Sequence, residues 1–174
     1  MRSTEIKTKS IEPVLHSFNY CLDYLREQVA EVPAADMVAQ PNGVMNHPSW
    51  VLGHLTYVFQ LIGSVIGLSQ WLPDEWGQRY GTGSLPVADS GLYETKEEAL
   101  AILGDAQSRI TKAVAQLDDS FLDEPFPDES YHFVFPTIRH ALTQVLVAHT
   151  ANHIGQLSVW RRALGMQPMG RPFE

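Results

Sequence analysis

Six apolar residues near the start of the chain, Ile11, Leu15, Phe18, Leu22, Leu25 and Val29, follow one another at alternating spacings of four and three. That rhythm puts them on one stripe of an α-helix, whereas a half-buried strand would repeat every second residue. Ser10 can cap this helix, Pro13 falls in its first turn where no intrahelical bond is lost, and Pro33 bounds it. The same reasoning predicts a second helix opening at Pro48, with Trp50, His54, Leu61 and Val65 on its core stripe. A third follows a Thr95/Glu98 capping box and carries Ala99, Leu103, Ala106, Ile110, Val114 and Leu117 at helical spacing. A fourth starts after Thr137, which can cap it, and stops at Gly165. The predicted helices cover about residues 10–31, 48–68, 95–117 and 137–164.

Between the second and third helices, Pro73, Gly77, Gly81, Gly83, Pro86 and Gly91 interrupt any long periodic element. A crossover of that length lets helices two and three run as parallel neighbours, and it can also cover a site. The stretch from Asp118 to Pro136 is likewise irregular and carries Phe126, Tyr131, Phe133 and Phe135, which are expected to fold onto the bundle; its short aromatic runs leave room for a minor hairpin. The expected fold is therefore all-α, a four-helix bundle with a long crossover between helices two and three and an irregular connection between helices three and four. One domain is expected across residues 1–174, a length that supports a single core.

Charge narrows the range of partners. Twelve basic against twenty acidic residues leave a formal charge of −8, with no lysine or arginine block to neutralise phosphates, so direct nucleic-acid binding is not expected. The most apolar run, from Val51 to Leu68, contains His54, Thr56, Gln60 and Ser64 and suits a buried helix better than a membrane span. Cys21 is the only cysteine, and the N-terminal MRSTEIKTKS is polar with no apolar signal segment behind it, which leads to the expectation of a soluble protein in a reducing cytoplasm.

Within the last predicted helix stands AHTANHIGQ, residues 148–156. At about 100° per residue, His149 and His153 lie roughly 40° apart, and Gln156 lies roughly 20° from His149. Leu142, Val145 and Trp160 project to the same face, so the imidazoles are expected to point into the core, as His54 does from the second helix. A divalent cation could then take one nitrogen from each of the three rings and leave a position open for water or substrate. The alternative is a set of hydrogen-bonded core histidines. His149 is followed by threonine where an HExxH metalloprotease has its glutamate, which disfavours that chemistry. His140 projects to about the opposite face and is read as a surface or packing residue, and His16 is read as packing beside the first helix's stripe. His47 is assigned to the start of the second helix and His132 to a loop. Cys21 reads as a structural thiol, and Trp71 and Trp76 as loop residues packed on the domain.

Taken together, Trp50-Val51-Leu52-Gly53-His54-Leu55 and the later His149-Thr150-Ala151-Asn152-His153-Ile154-Gly155-Gln156-Leu157 resemble the DinB superfamily. The resemblance implies a four-helix bundle in which His54, His149 and His153 bind a divalent metal, and three neutral imidazoles suit zinc or nickel. It assigns no residue here as catalytic acid or base. It further suggests a metal-dependent thiol S-transferase using a low-molecular-weight thiol on a small electrophile, and a homodimer. A metal-dependent hydrolase, or a non-catalytic stress-response or ligand-binding bundle with a structural metal, stands as the alternative.

Overall fold

A computed structural model describes residues 9–170 of the chain; most of the polar N-terminal stretch read above lies outside them. The described residues are helical, without a strand, and their one β-bridge joins Pro125 to Thr137. Helix α1 spans Glu12–Ala30, α2 Pro48–Val65, α3 Trp76–Tyr80, α4 Lys96–Val114 and α5 Asp119–Leu122. The last rod comprises α6 Ile138–Thr143, a π-helical segment Gln144–His149 and α7 Thr150–Ala163. Among the described residues no helix is long and apolar enough to cross a membrane.

Four rods close into a bundle. Helix α1 packs against α4 and against the last rod, while α2 packs against the same two, most extensively against α4. Across the interior Phe18 of α1 meets Phe59 of α2 edge to face, with ring centroids 5.1 Å apart. Every member of the α1 stripe, from Ile11 to Val29, is buried, as are Ala99, Leu103, Ala106, Ile110 and Val114 of α4. The capping box of α4 forms as expected: Glu98 N–H donates to the Thr95 hydroxyl, and the Thr95 N–H donates to the Glu98 carboxylate at 2.9 Å.

Several local expectations are corrected. Ser10 does not cap α1; its hydroxyl donates to Asp119 at 2.6 Å, and a 3-10 turn, Lys9–Ile11, leads into the helix instead. Thr137 precedes α6, but its hydroxyl pairs with His140 Nδ1 at 2.9 Å and caps nothing. Helix α2 ends at Val65, Leu61 is 47% exposed and Val65 only half-buried. The reason is that the first half of α2 is buried on all sides, from Pro48 to Thr56, whereas its second half opens onto a cavity. The predicted last helix is continuous but not uniformly α. Across the π segment a turn gains a residue, so Leu146 takes the buried position expected for Val145.

Candidate metal centre

The buried opening turns of α2 set the site. His47 caps the helix, its Nδ1 accepting from Trp50 N–H at 3.2 Å while Nε2–H donates to the Val87 carbonyl at 3.1 Å. One turn later Trp50 donates its indole N–H to Ser84 and stacks on His54, ring centroids 4.6 Å apart and 10° from parallel. Gly53 carries no side chain where the Tyr80 ring lies against α2; a Cβ there would overlap ring carbons of Tyr80. That close approach brings the end of α3 onto the helix, and the Tyr80 carbonyl accepts the Nδ1–H of His54 at 2.6 Å. The Tyr80 hydroxyl donates to Glu94, which Arg79 also holds at 3.1 Å. His54 is thus fixed as the tautomer whose Nε2 carries a lone pair.

The last rod supplies the other two rings. His54 Nε2 and His149 Nε2 are 3.3 Å apart, and His149 Nε2 and His153 Nε2 are 3.2 Å apart. One nitrogen from each of the three residues lies within 4.8 Å of the others. His54 and His153 are buried and His149 is half-buried. The π segment ends at His149, and its wider turn brings Gln144 and Val145 to the same cavity wall as that imidazole. The Thr150 hydroxyl donates back to the Val145 carbonyl, five residues earlier, at 3.3 Å.

The chemistry of the donor set itself suits a cation. A neutral ring nitrogen either donates or accepts, and His54 Nε2 can only accept. Three Nε2 atoms at these spacings therefore cannot all be satisfied by one another. Two nitrogens of a tetrahedral zinc site with bonds of about 2.0–2.1 Å are separated by about 3.3–3.4 Å, close to what His149 makes with each partner. His149 Nδ1 and His153 Nδ1 are buried without a hydrogen-bond partner. The Gln156 side chain lies near enough to His153 to oppose slightly the effect of its burial, although no hydrogen bond of sound geometry reaches Nδ1. The cluster fits a cation better than it fits itself.

Burial also decides protonation. Desolvation pushes His149 down to about 4, assisted by the neighbouring His54, and pushes His153 down to about 3, assisted by His54 and His149. His54 is lowered by the same cause, against its bond to the Tyr80 carbonyl, and His47 falls to about 4. These rings are neutral in the fold and take up protons more readily once it opens. As pH falls from about 6.5 toward about 3, the unfolded chain gains protons that the folded chain refuses, so these rings lower stability across that window. Urea midpoints of chelator-treated protein are expected to decline in step, and a midpoint constant from neutral pH to pH 4 would contradict the burial assigned to these rings.

The remaining histidines stand apart. His140 is exposed on α6, His16 is exposed on α1, and His132 donates to the Phe126 carbonyl at 2.6 Å within the loop. Gln156 shares the rod with the pair but accepts from Asn46 at 2.7 Å. Cys21 is half-buried, and burial raises its thiol above the usual range. Sequence reasoning missed Tyr80, whose contribution is a backbone carbonyl, and Gly53, for which the signal was a glycine inside an otherwise apolar helix.

A helical bundle with three inward histidines from two of its rods defines a class of candidate metalloproteins. The DinB superfamily model matches residues 17–157, from within α1 to beyond His153, and the chain belongs to that superfamily, which includes metal-dependent enzymes. Comparison with curated proteins found no match.

Proposed function

We propose that the chain is a divalent-metal-dependent enzyme, a thiol S-transferase acting on a small electrophile, with His54, His149 and His153 as the metal ligands. The observation that carries this reading is the convergence of three Nε2 atoms beside a cavity of about 390 Å³ that His54 and His149 line. Three neutral imidazoles suit borderline cations such as zinc and nickel better than magnesium or calcium. A bound cation would supply Lewis acidity, lowering the pKa of a thiol or water in its open position.

The protein's own residues do the rest. The Tyr80 carbonyl keeps the His54 proton on Nδ1, Trp50 stacks on the ring, and the cavity walls orient the electrophile. Transfer to a thiol is favoured over hydrolysis because, among the described residues, no carboxylate lines the cavity to serve as a base. A thiol, with an ordinary pKa of about 8.5, also needs far less activation than water. We further propose that the enzyme works as a cytoplasmic homodimer on small-molecule substrates, with a low-molecular-weight thiol as cosubstrate.

Untagged protein dialysed against zinc or nickel is expected to retain about one ion per chain and to lose it to a chelator. Conjugation of a thiol to a model electrophile should be lost and restored with the ion. Absence of stoichiometric uptake of either metal would end this reading.

A further inference from the structure

The cavity above the histidines has a composition of its own. Val58, Leu61 and Ile62 form its α2 wall, and Phe126, Tyr131 and Phe135 form the opposing wall from the 126–135 loop. Among the described residues no lysine, arginine, aspartate or glutamate lines it; apart from the two histidines and the Tyr131 hydroxyl, the polar side chains are Thr82 and Gln144, both neutral. A charged ligand would lose its hydration here with no opposite charge from the walls to compensate.

The aromatic wall is built in advance. Phe126 meets Phe135 edge to face at 5.2 Å, and Tyr131 stacks on Phe135 at 5.7 Å, 10° from parallel. The loop is pinned by Phe135 N–H donating to the Tyr131 carbonyl at 2.8 Å and by His132 donating to the Phe126 carbonyl. Yet these side chains are not covered by their own fold: Leu61 is 47% exposed, Tyr131 49% and Val134 39%, and all three line this one cavity. Apolar surface gathered around a preformed concavity, with a few neutral polar groups, is the chemistry of a small-molecule site. The rings pack on one another instead of facing a common point, which suits a flat ring sliding alongside them better than a cation enclosed among them.

We propose that this cavity binds an uncharged small molecule with a one- or two-ring aromatic body, seated between α2 and the aromatic loop with its reactive end toward the three histidines. That this ligand is the electrophilic substrate rests on the metal-enzyme reading; its binding does not. Thr82 and Gln144 give hydrogen bonds to a neutral substituent, and the apolar walls supply the affinity.

The test titrates chelator-treated protein near neutral pH with three matched probes: 2-naphthalenemethanol, 2-naphthoate and 2-naphthylmethyl-trimethylammonium. The neutral probe is expected to bind at least about tenfold more tightly than either charged one. Leu61→Asp places a carboxylate at an exposed position on the wall, where folding is undisturbed, and should weaken the neutral probe by at least about tenfold. Leu85→Asp, at a 77% exposed position outside the cavity, should leave it unchanged. A charged probe binding as tightly as the neutral one, no binding by any probe, or equal behaviour of the two aspartate variants would each overturn the proposal. Because the probes are read without metal, such a failure alongside normal zinc uptake removes this inference and leaves the metal reading standing. Failed zinc uptake with selective probe binding does the reverse.

Discussion

His153→Ala and His149→Ala are each expected to reduce zinc or nickel affinity by more than about a hundredfold, whereas His140→Ala should leave it at the wild-type value. The magnitude follows from coordination: losing even a hydrogen-bonded supporter of a ligand typically costs about 10–100-fold, and here a donor atom itself is removed. His149 Nε2 lies 3.3 Å from His54 Nε2 and 3.2 Å from His153 Nε2, so removing it takes out the nitrogen common to both close contacts. His140 is exposed on α6, its Nδ1 paired with the Thr137 hydroxyl. Alanine also leaves a void among buried rings, so circular dichroism and thermal melts must accompany competitive metal titration on each folded variant. Retention of wild-type affinity by both His149→Ala and His153→Ala would place any cation elsewhere.

What could be read from the sequence was whatever depends on periodicity and local chemistry. The α1 stripe works because one face alone of that helix is buried, so its apolar residues are sorted by geometry. The Thr95/Glu98 box works because both partners lie within one turn. The inward direction of His149 and His153 was legible because α7 follows the π segment immediately, leaving their four-residue spacing intact.

Where reading failed, the cause was either surroundings or backbone. Leu61 has the spacing of a core residue, but the surface it faces is a cavity formed partly by a loop far along the chain. Val145 keeps the face of His149 but is only half-buried, because the segment is a π turn, a change in hydrogen-bond register that leaves no mark in composition. The group that orients His54 is a carbonyl 26 positions away, and every residue has one of those. The converging histidines were therefore visible, and the contacts that orient them were not.

Gly53→Ala tests those contacts, and Gly155→Ala is its counterpart on the other rod. Both glycines lie in helices close to a histidine of the cluster, and both would gain helix propensity from alanine, roughly 0.5–1 kcal/mol. Their surroundings decide the sign. A methyl group at Gly155 meets nothing within 4 Å, so Gly155→Ala should raise the melting temperature and leave zinc affinity alone. At Gly53 the methyl would overlap the ring of Tyr80, a fully buried side chain whose hydroxyl is tied to Glu94 and whose ring packs against Trp76 at 4.7 Å. That ring has nowhere to swing, so the end of α3 must lift away from α2. Overpacking of this kind costs about 1–3 kcal/mol, which outweighs the gain in propensity. Lifting α3 also withdraws the Tyr80 carbonyl from His54 Nδ1, freeing the ring to rotate and to shift its proton to Nε2, which should weaken zinc by about 10–100-fold. Paired melts and zinc titrations read both effects. If Gly53→Ala melts and binds zinc as the wild type does, the Tyr80 contact does not position the ligand, and the orientation of His54 must come from Trp50 alone.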